Sequence, residues 1–450
     1  MSLKLFGTDG IRGIANIEPI TATSALRLAA AAARVLVRHQ SSSTAIIGRD
    51  TRASGEMLES AIAAGLASSG VDVLLAGIVP TPAIAYLTRT HQAAFGVVIS
   101  ASHNPFQDNG IKFFGADGYK LSDQLELAIE AEFFQTESSQ PAPAKSVGRI
   151  RQIKDSLEQY AAFAASTVPK GFSLSGIKIA FDAANGAAYE TTPLALARLG
   201  AQMKLIAAMP DGCNINTECG STHPEAISAL VRKTGAAFGL AHDGDADRVL
   251  FCDETGAPLD GDELLAIVSV DLLARGQLRE KTLVATVMSN FGLDALLNSR
   301  GGKVLRTNVG DRCVMDSMVQ HELNFGGEQS GHIIFRDFTT TGDGLVAALQ
   351  LMEIMQRTGK PLSESRKVLK KFPQILRNAT VREKLPFEQF SDLMKQIAEA
   401  QSRLAGNGRV FLRYSGTEPK ARLLLEGPDE GELEQLAEGI MKELTKNLGP

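Results

Sequence analysis

The chain has 450 residues, more than one hydrophobic core usually serves, and this length predicts about three domains of roughly 150 residues each. Hydrophobic residues make up 44% and charged residues 22%, close to the average of soluble globular proteins, which argues against a disordered, fibrous or membrane protein. With 46 basic and 51 acidic residues, the net charge of -5 is too small and too mixed for nucleic-acid binding through counterion release.

The sequence predicts neither a signal peptide nor a membrane-spanning segment. The N-terminus turns polar before a signal-peptide core can form, and no apolar run reaches the ~20 residues that span a bilayer. The most apolar stretch, residues 26–37, is interrupted by Arg27 and Arg34 at helical spacing and predicts an amphipathic helix. The four cysteines lack a Cys-x-x-Cys spacing, which favours reduced thiols over a zinc ribbon or a disulfide framework. We therefore expect a cytoplasmic protein.

From residue 44 onward, one pattern of elements occurs three times: a β-rich run, a polar loop, an apolar-periodic helix, one or two glycines and a second β-rich run. Strands and helices that alternate in this way indicate α/β domains. The predicted strands of the three copies are 44–50 with 71–75, 177–181 with 203–206, and 282–287 with 303–305, and the helices between them are 56–69, 192–199 and 293–299.

Each copy also contains a short phrase that ends in Phe-Gly and leads into an unusual loop. These loops are residues 100–105, 243–248 and 327–332. Ligands of α/β sheets gather beyond the carboxyl ends of the strands, so three equivalent strand ends predict one shared cleft. Because Phe-Gly is common at buried strands, a chance resemblance between the copies is the alternative.

Three connections divide the chain. A stretch rich in Ser, Pro and Ala covers residues 135–145, and further breaks are predicted near 256–261 and 359–373. The C-terminal part does not follow the repeat. It is predicted to form a smaller α+β domain, with a helix near 387–405 and strands at 409–412 and 421–426. The expected domains are residues 1–150, 151–257, 258–370 and 371–450.

In the first of the unusual loops, Ser102 follows a buried β-run and stands beside His103. The Asn109-Gly110 pair predicts a turn that brings Lys112 close behind it. A hydroxyl in this place could be a nucleophile if a base removes its proton. No Gly-x-Ser-x-Gly elbow occurs, so a hydrolase triad has no support. From this loop alone, a turn or cap role for Ser102 and a structural role for His103 stay open.

In the second loop, Asp243, Asp245 and Asp247 alternate along the chain. This spacing can aim three carboxylates at one point, and oxygen-only ligands suit a hard cation such as Mg²⁺. An EF-hand competes with this interpretation because Glu254 stands at loop position 12, but Arg248 occupies the position where that loop needs glycine. A solvated acidic turn is the other alternative.

The third loop places Glu328 and Ser330 among glycines, and this pair suits hydrogen bonds with vicinal sugar hydroxyls. Without the other loops it would be read as a glycine-rich turn.

A fourth loop, residues 413–419, combines an arginine, two hydroxyls and a glycine that lets backbone N–H groups come close, and Arg422 adds a second guanidinium. These are phosphate-binding groups, although a tight turn between strands is the alternative. The residues concerned are Arg413, Ser415, Gly416, Thr417 and Arg422.

Together with residues 7–13, these loops resemble the α-D-phosphohexomutase superfamily over essentially the whole chain. In chain order they are similar to its N-terminal signature and its phosphoserine, metal, sugar and phosphate loops. Residues 99–105, residues 220–225 and Gln329 are most similar to the bacterial members that act on glucosamine phosphates. The branch that acts on mannose and glucose phosphates more often has methionine at the position of Gln329. Two departures are Ala246, where relatives commonly have glycine, and the Ala183-Ala184 pair.

The resemblance implies three repeated mixed-sheet α/β domains and a smaller α+β C-terminal domain, in a heart-shaped molecule around a central cleft. It implies an isomerase that interconverts glucosamine 6-phosphate and glucosamine 1-phosphate through phosphorylated Ser102 and a bisphosphorylated sugar, towards UDP-N-acetylglucosamine synthesis. Mannose or glucose phosphates are the alternative substrates. A silent sugar-phosphate sensor and a metal-dependent sugar phosphatase are alternatives from other classes.

The resemblance also implies the roles of single residues. Arg12 assists catalysis, and the base is Lys112 or His103; the resemblance favours Lys112, as the base or as an electrostatic stabiliser. Because lysine is normally protonated at pH 7, a base role needs a lowered pKa. Ser102 and the three aspartates are the implied metal ligands, and the implied substrate-binding residues are Arg248, Glu328, Ser330, Arg413, Ser415, Gly416, Thr417 and Arg422.

The implied cofactors are Mg²⁺, the phosphate on Ser102, and glucosamine 1,6-bisphosphate or glucose 1,6-bisphosphate as a catalytic activator. The implied partners are small sugar phosphates and a second copy of the chain in a homodimer. Nucleic acids and membranes are not expected as partners.

Overall fold

A computed structural model of the chain describes residues 5–7, 9–37, 42–135, 142–404, 406–415 and 419–449. The chain divides into two compact units. Unit 1 comprises Met1–Val287 and Leu305–Arg366, and unit 2 comprises Met288–Val304 and Lys367–Pro450. Within the described part of the chain, no helix combines the length and the hydropathy that a membrane span requires.

The first sheet of unit 1 has six strands in the order β1-β5-β4-β2-β3-β6. Strands β2, β3, β4 and β6 run parallel, and β5 is antiparallel to both β1 and β4. The strands are β1 Ile11–Ile14, β2 Thr44–Arg49, β3 Asp72–Ile78, β4 Phe95–Ile99, β5 Asp108–Gly115 and β6 Ile150–Gln152. The helices are α1 Ala22–Leu36, α2 Ser54–Ser68, α3 Thr81–Thr90 and α4 Asp123–Phe133, and a 3₁₀ turn covers Ala144–Ser146.

The second sheet repeats the parallel centre of the first. Its order is β11-β10-β9-β7-β8; β7 is parallel to β8 and β9, and β10 is antiparallel to β9 and β11. The strands are β7 Lys178–Asp182, β8 Gln202–Ile206, β9 Phe238–His242, β10 Val249–Cys252 and β11 Pro258–Leu259. The helices are α5 Ser156–Ser166, α6 Thr191–Arg198 and α7 Pro224–Thr234.

The third sheet has the order β13-β12-β14-β15, with β12 parallel to β14 and β15 antiparallel to β14. The boundary between the units falls within β13, and α9 belongs to unit 2. The strands are β12 Thr282–Thr286, β13 Lys303–Thr307, β14 Phe325–Gly327 and β15 Ile333–Phe335. The helices are α8 Gly261–Ala274, α9 Gly292–Ser299, α10 Asp311–Gln320, α11 Gly344–Thr358 and α12 Leu362–Ser365, with 3₁₀ turns at Arg279–Lys281 and Arg366–Val368.

The fourth sheet, in unit 2, is antiparallel and has the order β16-β18-β17. Apolar residues of its strands and helices form a core of their own. The strands are β16 Gln374–Thr380, β17 Arg409–Tyr414 and β18 Lys420–Glu426, and the helices are α13 Ser391–Arg403 and α14 Glu430–Leu448, with a 3₁₀ turn at Phe387–Gln389.

The central strands that carry the Phe-Gly phrases are buried along their whole length. All residues of β4 and β9 are buried, and so are the three residues of β14. Strands covered by helices on both faces are apolar throughout and do not alternate, which explains why each phrase reads as a short apolar run. Each of these strands ends where one of the three unusual loops begins.

The turn predicted at Asn109-Gly110 is wrong. Both residues lie inside β5, where Gly110 pairs with Arg12 and Asn109 with Gly13. The Asn109 side-chain amide donates to Ser54 Oγ at 2.8 Å. A Cβ at Gly110 would lie 2.6 Å from the Ser100 carbonyl oxygen, so the glycine serves a close approach of two chain segments here and not a turn.

Candidate active site

The loops after β4, β9 and β14 contact one another in unit 1. The Ser102 hydroxyl donates a hydrogen bond to Asp243 Oδ2 at 2.7 Å, which joins the first loop to the second. His332 Nδ1 lies 3.5 Å from Asp247 Oδ2, which joins the third loop to the second. The structure thus brings together three loops that are more than 80 residues apart in the chain.

The three alternating aspartates converge. One carboxylate oxygen from each of Asp243, Asp245 and Asp247 lies within 4.8 Å of the other two, and all three side chains are buried. Among the described residues, Asp245 Oδ1 and Asp247 Oδ1 are buried without a hydrogen-bond partner. Buried carboxylate oxygens without a partner are costly. The arrangement fits a hard divalent cation, which would supply the missing interaction.

The charges of the triad lead to the same conclusion. Burial, together with the neighbouring charges of Asp247 and Asp245, raises the pKa of Asp243 to about 8. Burial would also raise the pKa of Asp247, but the charge and hydrogen bond of His332 together with the charges of Lys112 and Arg248 outweigh it and lower the pKa below its ordinary value. Three carboxylates this close do not all ionise easily unless positive charge lies beside them.

The metal loop contains a backbone strain that follows from Ala246. This residue has φ +57°, the left-handed region that alanine rarely adopts, and it is buried. The loop is held in place from behind, since the Gly344 N–H donates to the Ala246 carbonyl at 3.1 Å. Glycine would adopt this conformation at little cost.

We expect the Ala246→Gly variant to raise the free energy of unfolding by about 1 kcal/mol, because glycine removes the strain of the left-handed conformation. Urea unfolding of the metal-free protein measures the change. Ala180→Gly, in the middle of the buried strand β7, is the control and should lower the stability, since no strain is relieved there. A lower stability of Ala246→Gly would contradict the expectation.

Ser102 is buried and also has a positive φ, +53°. Its Oγ lies 3.2 Å from His103 Nδ1 in addition to the contact with Asp243. Burial lowers the pKa of His103, and the positive charges of Arg248 and Arg12 lower it further. His103 is therefore mostly neutral at pH 7 and lies where it could accept a proton.

Lys112 is buried between two carboxylates. Its Nζ lies 3.0 Å from Asp245 Oδ2 and 2.9 Å from Asp9 Oδ2. Burial alone would lower the pKa of Lys112, but the charges of Asp245 and Asp9 outweigh it and raise the pKa. The lowered pKa that a base role requires is thus not found, and the geometry favours an electrostatic role.

A chain of alternating charges continues from Lys112 and was not anticipated from the sequence. Asp9 Oδ1 lies 2.5 Å from Lys120 Nζ, and Lys120 in turn pairs with Asp311. His332 Nε2 lies 3.8 Å from Asp311 Oδ2, and because His332 also contacts Asp247, the series of charged side chains connects back to the aspartate triad. Asp9 stands in the N-terminal motif and was therefore within reach of sequence reasoning, whereas no local pattern marks Asp311.

Two arginines lie beside the carboxylates. Arg12 donates to Asp9 Oδ2 at 2.5 Å and to the Ala101 carbonyl at 3.3 Å, and the Arg248 Nε lies 3.9 Å from Asp247 Oδ1. In the described part of the chain, the Nε of each is buried without a hydrogen-bond partner. The side chains are 27% and 24% exposed, so an anion could reach both guanidinium groups.

The sugar loop is held at the start of α8. The Gly261 N–H donates to the Gln329 carbonyl at 2.9 Å, and Glu328 Oε1 accepts from the Gly310 N–H at 3.2 Å. Glu328 is partly buried and Ser330 is exposed. Both side chains are thus accessible to a small polar ligand.

Unit 2 carries the predicted phosphate loop. Arg413 and Arg422 are directly opposite each other on the paired strands β17 and β18. The Ser415 N–H donates to the Lys420 carbonyl at 2.8 Å, and Lys384 Nζ donates to the Ser415 carbonyl at 2.6 Å. Gly416 and Thr417 lie outside the described residues.

Four family models match the chain, and together they cover most of it. They are described as phosphoglucomutase/phosphomannomutase alpha/beta/alpha domain I over residues 3–140, domain II over 155–256, domain III over 260–372, and the C-terminal domain over 358–443. These matches confirm the expected fold class of three repeated α/β domains and a smaller C-terminal one.

Relatives match over the full length. A phosphoglucosamine mutase of Syntrophotalea carbinolica is 49% identical, with 100% of this chain and 99% of the relative covered. A phosphoglucosamine mutase of Pelobacter propionicus is 50% identical, with 99% of each chain covered. The crystal structure of a phosphoglucomutase/phosphomannomutase family protein from Burkholderia thailandensis superposes with a TM-score of 0.81 at 22% identity, covering 98% of this chain and 97% of that one. The chain belongs to the phosphoglucomutase/phosphomannomutase family.

Proposed function

We propose that the chain interconverts glucosamine 6-phosphate and glucosamine 1-phosphate by way of phosphorylated Ser102. The observation that carries this proposal is the 2.7 Å contact between Ser102 Oγ and the buried aspartate triad, since it joins a nucleophile to a cation site. The full-length relatives at 48–50% identity that are named phosphoglucosamine mutase support the choice of sugar. The reaction makes the protein an isomerase.

Asp243, Asp245 and Asp247 would hold Mg²⁺, with phosphorylated Ser102 as a further oxygen ligand. When bound, the cation supplies positive charge that stabilises the transferring phosphoryl group. Lys112, Arg12 and Arg248 surround the same carboxylates. They add fixed positive charge where the oxygens of that group would lie.

The proposed reaction has two transfers. In the first, the bond between phosphorus and Ser102 Oγ breaks while a bond forms to the free sugar hydroxyl, whose proton passes to a base. Of the two candidate bases, His103 has the lowered pKa that favours this role, and Lys112 has a raised one. The bisphosphorylated sugar then turns in the cleft. In the second transfer, the bond between its other phosphate and the sugar oxygen breaks while a bond to Ser102 Oγ forms. The base returns the proton to that sugar oxygen, and the product leaves.

Substrate binding must serve both orientations of the sugar. We assign Glu328 and Ser330 to the sugar hydroxyls. We assign the phosphate that does not react to the loop of unit 2, with the residues Arg413, Ser415, Gly416, Thr417 and Arg422. The proposed domains are residues 1–150, 151–257, 258–370 and 371–450.

We also propose how the enzyme is activated, which partners it has and where it is located. A sugar 1,6-bisphosphate of glucosamine or glucose would restore the phosphate on Ser102 when it is lost. Sugar phosphates would be the partners of a cytoplasmic homodimer, without nucleic-acid or membrane partners.

The choice of sugar is tested by comparing kcat/KM for the 6-phosphates of glucosamine, mannose and glucose, each with a trace of the bisphosphate. We expect glucosamine 6-phosphate to be preferred by a factor of about 10² or more, because a site that pairs with the amino group at C2 rejects sugars that carry a hydroxyl in its place. Equal values for the three sugars would contradict the choice. Release of inorganic phosphate as the main product would instead indicate a phosphatase.

A further inference from the structure

The loop between β2 and α2 holds the Ser102 loop through Arg52, whose side chain is 0% exposed. Its Nε–H donates to Asp50 Oδ2 at 2.9 Å. Its two Nη groups donate to three carbonyl oxygens of the Ser102 loop, those of Ser102 at 2.9 Å, Asn104 at 2.8 Å and Pro105, and to the carbonyl of Asp108, the first residue of β5, at 3.0 Å. A guanidinium has five N–H donors, so these five contacts use all of them. Arg52 therefore has no donor left for a substrate phosphate.

A second residue, from the second repeat, holds the same carbonyls. The Asn216 side-chain amide donates to the Ser102 carbonyl at 2.9 Å and to the Asn104 carbonyl at 3.0 Å. Asn216 is buried, and within the described residues its Oδ1 has no hydrogen-bond partner. The hydrogen bonds of this side chain thus all go to the Ser102 loop.

The N–H side of Ser102 is fixed as well. The Ser102 N–H donates to Ser100 Oγ at 2.9 Å, and the Ser100 hydroxyl donates to Asp50 Oδ2 at 2.6 Å. Asp50 is also the ion-pair partner of Arg52. The same buried pair therefore holds Ser102 directly through its carbonyl and indirectly through its N–H.

The conformation that these contacts enforce is an unusual one. Ser102 has φ +53°, in the left-handed region that a serine without such contacts rarely adopts. Strained backbone of this kind persists only where the surroundings over-determine it, and it is found at functional sites. In this conformation the Ser102 Oγ reaches Asp243 at 2.7 Å.

We propose that Arg52 and Asn216 are positioning residues that hold the Ser102 backbone in the left-handed conformation and thereby aim its Oγ at the aspartate triad. The inference rests on the proposed function, in which Ser102 carries the phosphate. Because neither side chain has a donor left for substrate, their loss slows the transfer step and leaves substrate binding unchanged.

The test uses Arg52→Lys, which keeps the charge but has three donors, and Asn216→Gly, which tolerates the φ of +58° at this position and removes the side chain with its amide. The measurement is the single-turnover rate at which the phosphorylated enzyme transfers its phosphate to glucosamine 6-phosphate. This rate is divided by the fraction of enzyme that carries phosphate, which intact mass gives. We expect this rate to fall about 10²-fold in Arg52→Lys and about 10-fold in Asn216→Gly, with KM within about twofold of wild type.

Arg366→Lys is the matched control and should keep the wild-type rate. Arg366 is also an ion-paired arginine that donates to a carbonyl, but its partners are Glu263, Asp253 and the Pro258 carbonyl. A wild-type transfer rate in Asn216→Gly would overturn the proposal, and so would a raised KM with an unchanged rate. The transfer rate of Arg52→Lys is interpreted only if the circular dichroism spectrum shows that this variant folds like the wild type. Asn216→Gly tests the proposal even if Arg52→Lys does not fold.

A stability measurement separates this inference from the proposed function. Glycine at position 102 tolerates the left-handed conformation without help, so Arg52→Lys should lower the Tm less in a Ser102→Gly background than in wild type. Equal shifts in the two backgrounds would overturn the positioning role, whatever the enzyme's activity. A wild-type enzyme that transfers no phosphate would refute the proposed function and leave this comparison valid.

Discussion

The Ser102→Ala variant should lose mutase activity by a factor of about 10⁴ or more, because removal of a nucleophile eliminates the covalent route. The hydroxyl donates to Asp243 Oδ2 in the folded protein, and a second hydroxyl, that of Thr81, donates to Asp245 Oδ2 at 2.7 Å. The measurements are a coupled assay for glucosamine 1-phosphate and the intact mass of the purified enzyme. The mass of the variant should show no phosphate.

Thr81→Val is the control for the loss of a hydroxyl beside the triad. It should retain the phosphate on Ser102 and most of the activity, since the Thr81 hydroxyl supports a carboxylate and carries no phosphoryl group in this account. If Ser102→Ala kept its activity, or if its mass still showed a phosphate, Ser102 would not be the residue that is phosphorylated.

The Asp247→Asn variant should lower kcat by about 10²–10³-fold and weaken the binding of Mg²⁺. Asp247 Oδ1 is one of the two oxygens of the aspartate triad that are buried without a hydrogen-bond partner among the described residues, so a bound cation would supply the interaction that this oxygen lacks. Titration calorimetry with Mg²⁺ and the dependence of kcat on Mg²⁺ concentration measure the two effects.

Asp271→Asn serves as the matched carboxylate control. Asp271 lies on α8, where it pairs with Arg357 at 2.7 Å and Arg275 at 3.3 Å, and its loss should leave Mg²⁺ affinity and kcat near wild type. Removal of metal from the wild type with a chelator should reproduce the loss seen in Asp247→Asn. Unchanged Mg²⁺ binding by Asp247→Asn would show that the cation is held elsewhere.

The repeated architecture could be predicted because it depends on local periodicity. The strands that carry the Phe-Gly phrases are short, mostly apolar runs, and helical periodicity and a terminal glycine mark the helices between strands. The observed bounds of α6, Thr191–Arg198, differ by one residue at each end from the predicted 192–199. The position of each loop at the carboxyl end of a central strand follows from the same pattern, although the three strands belong to three different sheets.

The turn predicted at Asn109-Gly110 is wrong because tertiary contacts outweigh the local sequence preference there. Asn-Gly is a strong turn signal in isolation. In the folded chain, the pairing of β5 with β1 and the contact of the Asn109 amide with Ser54 outweigh it. The chain reverses earlier, in the loop that contains Ser102.

The buried ion pairs around the site could not be predicted for a related reason. Lys120 and Asp311 are separated by 191 positions, and Lys112 and Asp245 by 133. No spacing rule connects residues at such distances. Arg52 illustrates the same difficulty, since an arginine near a phosphoserine loop suggests phosphate binding, whereas its five carbonyl and carboxylate contacts show that it holds the backbone.

The most direct test of the account is to follow a radiolabelled phosphate on Ser102 through one turnover with unlabelled glucosamine 6-phosphate. We predict that the label leaves the enzyme and appears on the sugar, first in the bisphosphate and then in glucosamine 1-phosphate, while the unlabelled phosphate of the substrate takes its place on Ser102. A label that stays on the enzyme while product forms, or that appears as inorganic phosphate at the rate of turnover, would contradict it.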